Sequence, residues 1–72
     1  MIRYDPFWNT LKSSCESTYT LTHKHHISSA TIDKLRNNRP INTTTLNDLC
    51  HIFQCQVSDI LEYVEDSRDQ FL

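Results

Sequence analysis

The 72-residue chain contains no glycine. Ordinary usage of about 7% would supply roughly five in a chain this long. Glycine lets a backbone enter the left-handed region or approach a phosphate without a Cβ in the way. Phosphate-cradling loops, dinucleotide-binding turns, nucleophile elbows and collagen-like repeats are therefore excluded.

The length allows one domain, which at this size buries only about 60% of the surface of its unfolded chain. With 38% hydrophobic and 22% charged residues the composition is that of a globular protein. No apolar run approaches the ~20 residues of a membrane span, and Met1–Asp5 does not open a signal-peptide core, so a small cytoplasmic protein without membrane contact is expected. Cys15, Cys50 and Cys55 are odd in number and lack the paired short spacings of a zinc site, which reads as reduced structural thiols. His23, His25 and His26 form a cluster that His51 or Cys55 can join as metal ligands. No carboxylate or cysteine stands beside the cluster at ligand spacing, and a solvated basic turn explains it equally; no metal and no cofactor are expected.

The formal net charge of −2 hides a split. Met1–Asn47 carries six Lys/Arg against Asp5, Glu16 and Asp33, whereas the remainder sets Arg68 alone against six acids. One face suits a polyanion and another face something else.

Helical spacing runs through the chain. Asp5-Pro6 is a cap followed by a first-turn proline, predicting a helix over about Pro6–Ser14 with Phe7, Trp8, Leu11 and Cys15 inward. Ser17 caps a short helix of about Thr18–His25, with Leu21 in the core and Tyr19 in support. Ser28 caps a third, about Ser29–Asn37, with Ile32 and Leu35 inward. Arg39 precedes Pro40 and is pushed out of the α region, so Asn37–Pro40 is a turn. Thr43 caps a fourth helix of about Thr44–Phe53, where Leu46, Leu49, Cys50 and Phe53 keep i, i+3, i+4, i+7 spacing. Val57, Ile60, Leu61 and Val64 repeat it, predicting a fifth helix capped by Ser58. No strand is expected. The result is an all-α, compact five-helix bundle: one domain over residues 1–66 and a short acidic tail over 67–72.

A short helix, a tight turn and a second short helix with a polar outward face suit entry into a DNA major groove. Thr18–Asn37 resembles the helix-turn-helix unit of the lambda-repressor and Cro type, whose register Leu21, Ile27, Ile32 and Leu35 fit. The following TLNDLCHIFQCQVSDILEYV resembles the small stand-alone members of that family, and together the likeness covers about residues 7–64. Two positions depart from the pattern. Thr22 stands where a small alanine is usual, and its hydroxyl can bond back to a carbonyl. His26 stands where glycine normally makes the left-handed turn, so the resemblance implies a positive φ at His26.

The resemblance also assigns roles. Ser29, Ala30 and Lys34 would meet base edges, Ala30 through a thymine methyl and Lys34 through guanine O6/N7. Thr18, Ser28, Thr31, Asn37, Asn38 and Arg39 would hold phosphates, with Lys24 and Arg36 as flanking charges. Each has a plainer reading beside it: Ser28 as a cap, Lys34 as a surface residue, and Asn37–Arg39 as turn chemistry.

A bundle this small offers no deep pocket for catalysis and no evident small-molecule site. A sequence-specific regulator, an operator-binding repressor acting in the nucleoid, is the main expectation. A protein-interaction module that keeps the fold without specific DNA binding is the alternative. One unit reads only four or five base pairs, so specific binding implies a homodimer on double-stranded DNA. Leu61, Tyr63, Val64, Phe71 and Leu72 are the expected dimer contacts, because the acidic end of the chain cannot face DNA.

Overall fold

A computed structural model describes residues 1–65. A two-residue strand β1 (Ile2–Arg3) leads into α1 (Asp5–Ser13), followed by α2 (Thr18–His23), α3 (Ser29–Arg36) and α4 (Thr43–Phe53). A single 3-10 turn at Val57–Asp59 and a second short strand, β2 (Glu62–Tyr63), complete the described chain.

Local chemistry starts most of the helices. Ser17 accepts from the Thr20 N–H while Thr20 Oγ1 accepts from the Ser17 N–H, a reciprocal capping box that opens α2. Ser28 Oγ accepts from the Thr31 N–H at 3.1 Å and opens α3. Two expected caps are displaced by one residue. Asn42, not Thr43, caps α4, its side-chain carbonyl taking the Thr45 N–H at 2.8 Å. Tyr4, not Asp5, stands at the cap of α1 and makes no side-chain cap bond. The donor there is satisfied from a distance instead: the Phe7 N–H reaches the carbonyl of Ile60 at 3.1 Å.

The expected fifth helix does not form. The carbonyl of Asp59 accepts from Thr10 Oγ1 at 2.8 Å, and that of Ile60 accepts from Phe7. Both bonds hold the 3-10 turn against α1. The chain beyond runs extended, pairing antiparallel with β1 in the register Ile2↔Tyr63 and Arg3↔Glu62. Val64 N–H closes the ribbon on the Met1 carbonyl at 2.8 Å. Of the four apolar positions expected inward, Ile60 is fully buried and Leu61 is partly buried, whereas Val57 and Val64 are exposed. Among the described residues the fold is therefore four helices and a two-stranded ribbon, not five helices without a strand.

The core gathers Tyr4, Phe7, Leu11, Leu21, Ile27, Ile32, Leu35, Leu49 and Ile60. Burying each large side chain contributes about 1.5–3 kcal/mol. Trp8 and Phe53 are half-buried beside it, Phe7 meeting both rings edge to face. Cys15 and Tyr19, expected inward or in support, are exposed. Cys15 lies beyond the last turn of α1, and Tyr19 stacks instead on His23 at 4.2 Å.

After α2, α3 and α4 the chain turns through a left-handed residue, and the described residues hold three: His26 (φ 60°), Asn38 (φ 55°) and Gln54 (φ 53°). α3 and α4 both end in a Schellman arrangement around this residue. Arg39 N–H bonds back to the Lys34 carbonyl at 2.8 Å, and Cys55 N–H to that of Cys50 at 3.1 Å. The left-handed conformation costs a residue with a Cβ about 1–2 kcal/mol. His26→Gly and Gln54→Gly should accordingly be neutral or stabilise by up to about 1 kcal/mol, after allowing for the flexibility glycine adds to the unfolded chain. Asn38→Gly should instead destabilise by about 1 kcal/mol, because Asn38 Oδ1 accepts the Tyr4 N–H at 3.0 Å. Urea unfolding of the three variants separates these outcomes; a loss at His26 would show that its side chain, too, holds the turn.

Candidate nucleic-acid interface

α2 and α3 are joined by five residues, Lys24–Ser28. Leu21, Ile27, Ile32 and Leu35 fasten the pair to the core from within. Thr22 half-fills the place of a smaller residue, its hydroxyl turned back onto the carbonyls of Thr18 (3.1 Å) and Tyr19 (2.9 Å). Ser29, Ala30, Asp33, Lys34, Arg36 and Asn37 remain exposed along α3 and past its end. None of them is apolar beyond the methyl of Ala30.

The outward residues fall into two groups. Thr18 and Ser29 line a groove of about 320 Å³ between α2 and α3, together with Tyr19 and Thr22. Ala30, Lys34, Asn37 and Arg39 line a second concavity of about 350 Å³ at the far end of α3, with Asp33 on its edge. The left-handed Asn38 brings Lys34 and Arg39 to the same place, since the bond from Arg39 N–H to the Lys34 carbonyl folds the chain back on itself. Neither cation has an acidic partner among the described residues. Asp33 is engaged elsewhere, 3.6 Å from Arg36, whose guanidinium also lies over the face of Trp8 at 5.6 Å.

Other expected contact residues have structural duties. Ser28 Oγ serves the cap and lies 2.9 Å from Thr31 Oγ1. Asn37 Nδ2 donates to the Asp33 carbonyl at 2.9 Å, and Asn38 gives its carbonyl oxygen to Tyr4. Of the expected dimer residues, Leu61 packs partly buried against the core, while Tyr63 and Val64 are exposed on the ribbon and just beyond it. Phe71 and Leu72 lie outside the described residues.

Three aromatic residues outside the expected contact set shape this surface. Tyr4 is buried, and its hydroxyl donates to the Arg39 carbonyl at 2.7 Å. Burial pushes the Tyr4 phenol pKa up, against a backbone hydrogen bond from Ile41 that acts the other way, so the donor stays protonated. Trp8 Nε1 reaches the Leu35 carbonyl in a long contact of 3.4 Å. Tyr19 extends the first groove as an exposed aromatic; its i, i+4 pairing with His23 was the available clue. At the other end of the unit, Glu16 Oε2 accepts from Thr20 Oγ1 at 2.7 Å and lies 3.2 Å from His25 Nε2. This holds the turn before α3 against the loop before α2.

Two short helices at a left-handed turn, the second with a polar, cation-bearing outer face, define a helix-turn-helix DNA-binding domain. The family model of the Cro/C1-type HTH DNA-binding domain matches residues 8–66, and the chain belongs to that family. No curated protein and no solved structure matches it significantly. No helix among the described residues is long and apolar enough to cross a membrane.

The Thr20 hydroxyl, followed by the neighbouring His25 and Lys24 charges, holds the Glu16 carboxyl below the usual glutamate range. A depressed carboxylate contributes stability above its unfolded pKa and loses it as pH falls through the folded one. The urea midpoint should therefore drop between about pH 5 and pH 3, and Glu16→Gln should flatten that drop while lowering the midpoint at neutral pH. Equal slopes in the two proteins would remove Glu16 from the account.

Proposed function

We propose that the protein is a sequence-specific transcriptional repressor that binds double-stranded DNA with α3 in the major groove. The observation that carries this reading is the pairing of Lys34 with Arg39 on one exposed concavity beside Ala30. A cation that can reach guanine O6/N7 then stands next to one that can grip a phosphate. Ser29 and Ala30 would read the neighbouring bases, Ser29 by hydrogen bond and Ala30 by contact with a thymine methyl. Thr18 lies across the first groove from Ser29 and would hold the phosphate on that side. Ser28, Thr31, Asn37 and Asn38 would add contacts chiefly through the backbone and the hydrogen-bonding capacity their structural duties leave over.

A single α3 spans too few base pairs for genomic specificity, so two copies would sit about 34 Å apart on a near-palindromic operator. The ribbon offers a surface for the pairing: Ile2, Tyr63 and Val64 are exposed there, next to Leu61. Phe71 and Leu72, outside the described residues, are the further dimer contacts proposed. Repression is the output that requires occupancy alone, and the protein would act in the compartment that holds the DNA.

Selection of bound sequences from random duplexes should return a palindromic motif. No enrichment at low salt would favour a protein-interaction module on the same fold. On the selected operator, Lys34→Ala should cost about 1–3 kcal/mol and relax base preference, whereas Arg39→Ala should weaken every sequence alike and reduce the salt slope by about one. Uniform loss on all sequences for Lys34→Ala would show that it reads no base. In sedimentation, Tyr63→Glu or removal of Asp69–Leu72 should shift a dimer toward monomer; a wild-type monomer at high concentration would overturn the dimer.

A further inference from the structure

The Schellman end of α4 places two thiols together. In this motif the side chain three positions inside the helix end and the one just beyond the left-handed residue meet in an apolar contact. Here those positions are Cys50 and Cys55, on either side of Gln54, joined through the Cys55 N–H and the Cys50 carbonyl at 3.1 Å. Any pair of aliphatic side chains would satisfy the motif. Two cysteines add chemistry that an aliphatic pair lacks. The backbone bond of the motif brings the two residues side by side, and both are half-buried rather than sealed in the core. Cys55 also lines an open concavity of about 490 Å³ between α1 and the 3-10 turn, beside Ser13, Ser14 and Asp59. A small solute therefore has an approach to it.

We propose that Cys50 and Cys55 form a dithiol modification site that closes to an intramolecular disulfide by exchange with a low-molecular-weight disulfide. The Cys55 thiolate, reached through that concavity, attacks one sulfur of the reagent, forming a mixed disulfide and releasing one thiol. Cys50 then loses its proton and displaces the second thiol, so that two cysteines are oxidised, one reagent disulfide is reduced, and both protons leave on the released thiols. Burial first, and then the adjoining Cys50 and Asp59, push the Cys55 thiol pKa up. The raised pKa lowers the thiolate fraction at Cys55, so the first step is the slow one. The product ties the end of α4 to the segment that carries Ile60 and β2. Cys15 is exposed after α1 and belongs to no such pair.

The test uses the full chain carrying Cys15→Ser, equilibrated with oxidised glutathione over a range of ratios to reduced glutathione. Intact mass should show the loss of two hydrogens without a retained adduct, and peptide mapping should link Cys50 to Cys55. Dithiothreitol should reverse the change. The effective concentration of the pair should exceed that of the urea-unfolded chain by about tenfold or more, as expected for thiols held together by folding. Cys50→Ala and Cys55→Ala should each stop at the mixed disulfide; should either fail to fold, the folded-to-unfolded comparison in the Cys15→Ser chain decides the matter. Separate adducts on both cysteines, persistent alkylation of both thiols, or equal closure in folded and unfolded chains would overturn the proposal.

Discussion

A residue at positive φ is a common way to end a helix and reverse the chain, and here three of the four described helices use one with a side chain attached. At His26 the left-handed residue sets the turn between α2 and α3; at Asn38 and Gln54 it ends α3 and α4. The consequence differs at each site because the flanking residues differ. Around Gln54 the motif joins two thiols, and around Asn38 it joins two cations. Asn38 also returns something glycine has no atoms for, an acceptor for the Tyr4 N–H. The steric cost of a Cβ in the left-handed region is thus offset at that turn by a hydrogen bond tying it to the start of α1.

That tie makes the exposed surface of α3 a property of the whole chain. Tyr4 holds the Asn38 side chain through its N–H and the Arg39 backbone carbonyl through its hydroxyl. Tyr4 is itself placed between β1 and α1, and β1 is paired with β2. Ile60, fully buried, lends its carbonyl to the first turn of α1. A run of contacts therefore leads from the far end of the described chain, through the ribbon and α1, to the turn that presents Arg39. Glu16, Thr20 and His25 do the corresponding work before α3.

What the sequence made legible was decided locally. Ser17 and Ser28 are caps because a hydroxyl and an N–H three residues on are always within reach of each other. Leu21, Ile27, Ile32 and Leu35 face the core because helical spacing and one turn fix their directions. The positive φ of His26 follows from its place in that register. The segment after Gln56 defeated the same reasoning. Val57, Ile60, Leu61 and Val64 have helical spacing, yet their segment is held by partners some fifty or sixty residues away: Phe7 and Thr10 on the carbonyls of Ile60 and Asp59, and β1 on β2. The strands escaped notice because each is two residues long and alternation needs more. Each candidate on α3 could be named singly; the convergence of Lys34 with Arg39 required the left-handed turn between them.

Placing two cations together would ordinarily disfavour the free protein, and the local electrostatics limit that cost. Lys34 and Arg36 fall in the last turn of α3 and Arg39 just past it, at the negative end of the helix dipole. Asp33 adds a carboxylate on the same edge, but its pairing with Arg36 leaves Lys34 and Arg39 open to an outside anion. The acids that give the chain its net charge of −2 are concentrated in the last third, among them Asp59 in the turn that holds α1 and Glu62 on the ribbon. Screening limits the reach of exposed charges to about 10 Å at 0.1 M salt, so a phosphate responds to the charges around it and not to the sum over the chain. Net acidity and an open pair of cations are compatible in one small domain because sequence separates the charges and the fold keeps Lys34 and Arg39 on one open surface.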